Sequence, residues 1–308
     1  MKLVKSTIAL TLCSMTALPT FAANVDIYGR ADVSLQSSDE GEGSFSEIKS
    51  NASRIGFKGN HQLNDDLEVV YKAEFEVDLD GDSDDVFKGR NQYIGLKGNF
   101  GEVLLGKNDS MLKQSQGKAD LFSDLNGDIK NLWKGENRLS DTLTYKSPKF
   151  SDFQVGVTYQ AEDDIESDSA FSIAGFYGDK NLKKSKIYAS IAVDSEVNGY
   201  DTTRATIQGK VSDDLTLGLI LQTQENVESG AEMDGVMISA KYSLGDVTLK
   251  GQYQIADHDD SEKNTGITAG VDYKLAKNTK LYAFYTTFDI KTDNIDEDYL
   301  AAGIQYKF

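Results

Sequence analysis

The chain has few of the residues that crosslink a fold or hold a metal. Its one cysteine, Cys13, lies in an apolar run near the N-terminus, so the remaining chain can form no internal disulfide. The two histidines, His61 and His258, are far apart, and no His or Cys pair stands at metal-ligand spacing. We therefore expect no catalytic residues, no metal and no cofactor. A hydrolytic barrel that uses His258 is the alternative.

Long apolar runs are also missing, apart from residues 8–18. Lys2 and Lys5 precede that run, and Thr20-Phe21-Ala22 follows it. This order of basic, apolar and small residues is typical of a secretory signal peptide, and the run is shorter than the ~20 residues that a membrane-spanning helix needs. We therefore expect a signal peptide over residues 1–22 and one exported domain over residues 23–308.

Basic residues are scarce relative to acidic ones. The chain has 32 Lys and Arg against 50 Asp and Glu. Removing Lys2 and Lys5 with the signal segment leaves 30 basic residues against 50 acidic ones, a net charge of −20. Because phosphate binding needs a basic surface, this balance argues against nucleic acid as a partner.

What the exported part does have is a period of two, which is the signature of strands with one apolar and one polar face. The apolar face of residues 67–79 is Leu67, Val69, Tyr71, Ala73, Phe75, Val77 and Leu79. The pattern recurs at 215–223, 247–255, 267–275, 282–290 and the C-terminal end. In 282–290 it puts Tyr282, Phe284 and Phe288 on the apolar, lipid-facing side.

Counting such segments predicts sixteen strands. They lie near 25–36, 52–62, 66–79, 88–98, 101–108, 138–147, 153–161, 170–179, 185–195, 201–211, 214–225, 234–244, 246–257, 265–275, 279–291 and 297–308. Tight turns alternate with longer, acidic connections such as 38–50 and 80–87. This predicts an all-β, transmembrane, antiparallel up-and-down barrel with aromatic girdles and a wet lumen. An exported soluble β-sandwich or a solenoid is the alternative.

One stretch, residues 109–137, never alternates and holds the only tryptophan, Trp133. Loops of this length are often functional, so we expect it to sit inside the barrel.

Several short motifs resemble the general diffusion porins of Gram-negative outer membranes. They are Ile27-Tyr28-Gly29-Arg30, Ser53-Arg54-Ile55-Gly56-Phe57-Lys58-Gly59, Arg90 with Tyr93-Ile94-Gly95-Leu96-Lys97, Gly106-Lys107-Asn108, and Arg138 with Thr144-Tyr145-Lys146-Ser147-Pro148. The resemblance implies a homotrimer of sixteen-stranded barrels whose third outer loop, 109–137 by order, folds inward and narrows the pore.

The resemblance also implies a cluster of wall arginines that faces acids of the inward loop. The matching wall positions are Arg54, Arg90 and Arg138, with Arg30 as a fourth. Alternation agrees: Ile55 and Phe57 would face lipid, as would Leu139 and Tyr145 beside Arg138, which turns the arginines inward. The acidic candidates are Asp120, Asp124 and Asp128, which recur every four residues and would align on a helical turn.

These features predict a water-filled outer-membrane channel for passive diffusion of small hydrophilic solutes and ions, in contact with outer-membrane lipid and lipopolysaccharide. The acidic total favours cations. A substrate-selective porin and a structural or surface-binding barrel are the alternatives. A sugar-selective porin should show a lumenal aromatic ladder, whereas the candidates Tyr28, Tyr188 and Tyr285 are scattered. Residues 78–85 are acidic enough for Ca²⁺ but lack the twelve-residue spacing, which favours a solvated loop.

Overall fold

The computed structural model describes residues 24–308 apart from 83, 163–168, 260–261 and 293–294. The predicted signal segment, 1–22, lies outside the described residues. Seventeen hydrogen-bonded segments form one antiparallel sheet, and they make sixteen barrel strands because two consecutive segments lie in line beside the first strand. The predicted fold class is confirmed.

The strands, numbered β1 to β16 in chain order, follow the predicted segments closely. They are Asn24–Asp39, then β2 in two segments, Ser44–Ser50 and Arg54–Asn64, then Leu67–Val77, Phe87–Gly98, Gly101–Asp109, Arg138–Lys146, Phe153–Gln160, Ala170–Gly178, Ile187–Val197, Tyr200–Lys210, Leu215–Asn226, Glu232–Leu244, Val247–His258, Asn264–Ala276, Thr279–Ile290 and Ile295–Lys307.

The sheet closes on itself through β1. One edge of β1 pairs with β16, with Leu35 opposite Ala302, and its other edge pairs with β2, with Ile27 opposite Phe57. Every strand of the described barrel therefore has a neighbour on both sides, and its backbone donors and acceptors are satisfied within the sheet. This is the condition for placing strands in a bilayer.

The polarity of the two faces is inverted relative to a water-soluble protein. On β1, Ile27 and Leu35 point outward and are each 61% exposed, while Asp32 and Ser34 point inward and are 2% and 1% exposed. An apolar outer face and a polar inner face give stability only when the outside is lipid. The alternation in the sequence is therefore that of a membrane-spanning barrel.

Aromatic side chains ring the rim at which the chain makes its shortest turns, such as 65–66 and 245–246. The outward members include Tyr145, Phe153, Tyr177, Tyr242, Tyr273, Tyr306 and Phe308. Amphipathic rings at this level match the girdle of a membrane–water boundary, and short turns mark the periplasmic rim. The longest connection, 110–137, leaves from the opposite rim. Among the described residues no helix is long and apolar enough to cross a membrane.

One expected loop is partly a strand. The sequence predicts a long connection over residues 38–50, but Ser44–Ser50 pairs with β1, with Ile48 opposite Leu35. The prediction is wrong because the outward face of this segment has little apolar character beyond Ile48, so alternation is weak. The strand breaks at Asn51–Ser53, where Ala52 has φ of +49°.

The predicted orientation of β15 is also wrong. Tyr282, Phe284 and Phe288 face the lumen and are 5%, 3% and 1% exposed. Leu281 and Tyr285 face outward instead, so this strand is apolar on both sides. Alternation cannot orient a strand with two apolar faces, and the inward aromatic residues have a partner that local sequence does not reveal.

Candidate functional site: the lumen and its inward loop

That partner is the inward loop, residues 110–137, which folds back into the barrel. It opens with helix α1, Met111–Ser115, where the Ser110 hydroxyl accepts a hydrogen bond from the Lys113 amide at 3.1 Å. It continues through turns to a 3₁₀ turn at Ile129–Asn131, capped by Asp128. The local sequence supports these caps, but only packing on the wall can hold so short a set of helices.

Three apolar clusters attach the loop to the wall. Their loop members are Met111 and Leu112 in the first, Ala119, Ile129 and Trp133 in the second, and Phe122 in the third. On the wall, the first cluster uses Ala174 and Ala192, the second Ile220, Met233, Met237 and Ala256, and the third Tyr282, Phe284 and Ala301. Tyr282 and Phe284 of β15 therefore belong to a core between loop and wall.

Two wall glycines make room for the largest of these rings. A Cβ at Gly235 would lie 2.6 Å from the Trp133 ring, and one at Gly270 would lie 2.9 Å from the Phe122 ring. Both distances are shorter than a van der Waals contact. Glycine in a strand therefore marks a close approach here.

Inward glutamines hold the loop backbone. Gln208 and Gln224 accept from the amides of Lys118 and Lys134, each at 2.9 Å. Gln252 accepts from the Leu121 amide at 2.9 Å and donates to the Gly127 carbonyl at 2.9 Å. Side-chain amides can donate and accept, so they satisfy an irregular backbone that pairs with no strand. In the sequence these glutamines are visible only as a polar face, and their spacing on neighbouring strands is the available signal.

Two further contacts hold the last part of the inward loop, from Trp133 to Glu136, against the wall. The Trp133 indole Nε1 donates to the Ile255 carbonyl at 2.9 Å. Arg204, which is fully buried, contacts the Glu136 carboxylate at 2.6 Å and donates to Gln222 at 2.8 Å. Burial raises the pKa of Glu136, and the adjacent Arg204 guanidinium only partly offsets that effect. The sequence predicts neither contact.

Across the lumen, Asp124 reaches the wall formed by β1 and β2. Its Oδ2 lies 2.9 Å from Nη2 of Arg30 and 2.7 Å from Nη2 of Arg54. Arg30 and Arg54 are themselves held by the carbonyls of Asn51 and Ala52. Burial alone would raise the pKa of Asp124, but Arg54 and Arg30 outweigh it and hold that pKa well below its usual range.

The other two predicted arginines have different partners. Arg90 contacts Glu74 at 3.0 Å and Glu76 at 2.6 Å, both on β3. Arg138 contacts Asp109 at 3.0 Å, at the base of the loop. The structure therefore brings Arg30 and Arg54 to a loop acid and brings Arg90 and Arg138 to carboxylates at other positions.

The loop acids Asp120 and Asp128 point into the loop. Asp120 is 6% exposed and accepts from the amides of Phe122 and Ile129 at 2.9 and 3.2 Å. Asp128 is 4% exposed and accepts from the amides of Asp124 and Lys130 at 2.8 and 3.0 Å. Burial, reinforced by nearby Asp128, raises the pKa of Asp120 well above its usual value.

The helical turn expected to align the three acids does not form. Residues 121–127 are bends and turns, and Asp124 has φ of +71°. The alternation argument at Arg138 fails as well, since Leu139 is 3% exposed and packs with Ala170 and Val197 inside the barrel. An irregular register next to Asp141, whose φ is +55°, changes which residues face inward.

The remaining candidates form no ladder and no metal site. Tyr28 donates to Glu74 at 2.7 Å and Tyr188 to the Ser115 carbonyl at 3.0 Å, whereas Tyr285, expected inside, faces outward. In the acidic 78–85 loop, Asp80 accepts from the Ser50 amide at 2.6 Å. Within the described part of the chain, no three His, Cys, Asp or Glu side chains are grouped so as to hold a metal ion.

A closed barrel with a lipid-facing apolar exterior, a charged lumen and an inward loop defines an outer-membrane pore protein. Residues 9–293 match the family model described as Gram-negative porin, so the chain belongs to the Gram-negative porin family. It resides in the outer membrane as a diffusion channel, and this family membership points away from an enzyme.

Individual relatives agree with this assignment. The major outer membrane protein P.IB of Neisseria sicca is 27% identical over 89% of this chain and 91% of its own. The anion-selective porin from Comamonas acidovorans superposes with a TM-score of 0.76 at 21% identity, covering 93% of this chain and 100% of that one. A trimer form of OmpT from Vibrio cholerae gives 0.71 at 19% identity, with 93% and 100% covered.

Proposed function

We propose that small hydrophilic solutes and ions cross this barrel passively through a slot, which is the part of the lumen left open beside the contact between the inward loop and the arginine wall. Arg30, Arg54, Arg90 and Arg138 form the basic side of this slot, and Asp124 forms its acidic side. The observation that carries the proposal is the pair of contacts from Asp124 to Arg30 and Arg54, at 2.9 and 2.7 Å. Asp120 and Asp128, which hydrogen bond within the loop, contribute by keeping its shape.

Opposed charges give the slot a transverse field. Water and polar solutes orient in such a field, while apolar solutes must disturb the ordered water to pass. Inside the slot the charges largely cancel, because each arginine lies against a carboxylate. Preference for one ion sign is therefore set mainly by the mouths of the channel.

We propose that the outer mouth gives a cation preference. The carboxylates of Asp78, Asp80, Asp82 and Asp85 line a cavity of about 310 Å³ at this rim with only one lysine, Lys88. A negative mouth concentrates cations before they enter. The porin from Comamonas acidovorans, which has the same fold, is described as anion-selective, so the proposed preference is opposite in sign to that of this neighbour.

Single-channel recording in a planar bilayer tests the proposal. We expect large, ohmic steps that added sugars do not saturate, and a reversal potential of cationic sign in a tenfold KCl gradient. A step blocked by one sugar or peptide would instead indicate a substrate-selective porin, and no step would indicate a structural barrel. A reversal potential of anionic sign would contradict the cation preference alone.

We also propose that the barrel is a homotrimer embedded in lipid and lipopolysaccharide. The outward apolar face supports the lipid contact, and the trimer form of the Vibrio cholerae relative supports the assembly. Native mass spectrometry of protein extracted in mild detergent should give three chains per particle. A single chain at all detergent concentrations would contradict the trimer.

A further inference from the structure

Several lysines of the inner, periplasmic half of the lumen face one another across neighbouring strands. The strand register sets three inward lysine pairs directly across from each other: Lys58 with Lys72, Lys241 with Lys250, and Lys274 with Lys280. Each pair lies two residues from a buried lumenal side chain, such as Glu74, Ser239 or Tyr282. Like charges at directly opposed positions destabilise a sheet, so a counter-charge is needed near them.

At the Lys274–Lys280 pair the wall is hollowed into a cavity. Its volume is about 220 Å³, and it lies between β13 and β16 beside the two-residue turn 277–278. Four lysines line it, Lys274, Lys277, Lys280 and Lys307, against two carboxylates, Asp246 and Asp272. The lining therefore has a net charge of +2.

The carboxylates that line the cavity are already partly paired with lysines. Asp272 contacts both Lys280 at 2.8 Å and Lys250 at 3.1 Å, so one carboxylate serves two ammonium groups. Among the described residues, three of the four lysines, Lys274, Lys277 and Lys307, form no ion pair with a carboxylate. Lys307 also lies directly across from Arg30, another cation. The positive charge of this cavity is thus concentrated on Lys274 and Lys307 in the strands and on Lys277 in the turn.

Two neutral polar side chains complete the lining, and both donate within the protein, Thr279 to Asn278 Oδ1 at 3.3 Å and Gln305 to Asp32 Oδ2 at 2.5 Å. Thr279 and Gln305 lie in the same cavity, and the chain there is braced by two 2.9 Å hydrogen bonds between Asn278 and Lys307. A group of unpaired ammonium groups around one hollow is a site at which a multiply charged oxyanion can bind. Lys274 and Lys280 lie on the lumenal face of their strands, so a solute in the channel can reach the site.

From these observations we propose that this cavity is an oxyanion site at the periplasmic end of the channel, which binds divalent phosphate or the phosphate group of a small solute. The role of the site in transport rests on the proposed channel function. It makes the channel asymmetric, since cations are concentrated at the outer mouth and oxyanions are held at the inner one.

Inorganic phosphate at pH 8 is the probe, added to one bilayer compartment and then to the other at constant ionic strength. We expect a saturable fall in conductance from one side only, produced also by sulfate but not by nitrate. The double variant K274Q/K307Q should raise the half-saturating phosphate concentration at least tenfold. The matched control is K241Q, a lumenal lysine outside the cavity, which should change that concentration less than twofold.

The inference is overturned if the fall in conductance does not saturate with phosphate, or if K241Q weakens it as much as the double variant does. Either result would show a general electrostatic effect of the lumenal lysines and no defined site. An unchanged half-saturating phosphate concentration in the K274Q/K307Q variant would also overturn the inference. Broadening of the ³¹P resonance of phosphate by the refolded protein in detergent gives a second readout. If no conductance steps occur but broadening persists and needs Lys274 and Lys307, the channel proposal fails and the site stands. If cation-preferring steps occur without saturation or broadening, the channel proposal stands and the oxyanion site fails.

Discussion

Trp133→Ala is expected to release the inward loop and to convert steady channel steps into larger, noisy ones. Trp133 is 2% exposed, fills the space above Gly235 and donates to the Ile255 carbonyl at 2.9 Å. Truncating a buried tryptophan to alanine costs about 3–5 kcal/mol. The other two apolar clusters, around Met111 and Phe122, hold the earlier part of the loop, so a loss of this size falls mainly on the segment around Trp133, which Arg204 and single hydrogen bonds then hold alone.

Trp133→Phe is the matched control, because it keeps a buried aromatic ring and loses the indole hydrogen bond, about 1 kcal/mol, and only part of the ring volume. In single-channel recordings the conductance and the noise of Trp133→Ala should therefore be well above those of Trp133→Phe. Trp133→Phe should be close to the native protein in both quantities. Limited proteolysis should cut Trp133→Ala within residues 110–137 while the barrel stays intact. Quiet, native-sized steps from Trp133→Ala would show that the glutamines and Arg204 hold the loop without the tryptophan.

The strand frame is predictable because lipid outside and water inside impose alternation on every strand. Strand ends and count follow from that constraint, and so does the existence of an irregular segment at 109–137. The prediction fails where a second constraint is present. On β15 the inward face packs Phe284 against Phe122, so both faces are apolar. At Leu139 a local irregularity in register exchanges the faces.

The contacts of the inward loop are harder to predict from the sequence than the strands are, and the reason is different. Asp120, Asp124 and Asp128 are chemically identical, and their roles differ only through the path of the chain. Two of them bind backbone amides inside the loop and one projects to Arg54. Glutamines that bond to the loop resemble glutamines that face water. Long-range partners decide these roles, and a single sequence gives no direct information on such partners.

Asp124→Asn is expected to shift the channel strongly toward anions. The substitution removes the carboxylate that opposes Arg30 and Arg54, while the carbonyls of Asn51 and Ala52 keep both guanidinium groups in place. The interaction energy between a unit charge and a passing ion 4 Å away is about 1 kcal/mol in water and larger where water is restricted. We therefore expect the cation-to-anion permeability ratio to fall about fivefold.

Reversal potentials in a KCl gradient measure this ratio, and Asp213→Asn, the same charge change in an exposed turn at the periplasmic rim, is the control. The pKa of Asp124 is depressed in the folded protein, so its charge persists below the ordinary carboxyl pKa of about 3.9 and is lost only as pH falls through the folded value. The native protein and Asp124→Asn should thus differ in permeability ratio from pH 7 down to about pH 4. If that difference disappears by pH 5.5, Asp124 is not held as an ion by Arg30 and Arg54. If Asp213→Asn shifts the permeability ratio as much as Asp124→Asn does, the charge of Asp124 in the slot does not determine the ion selectivity.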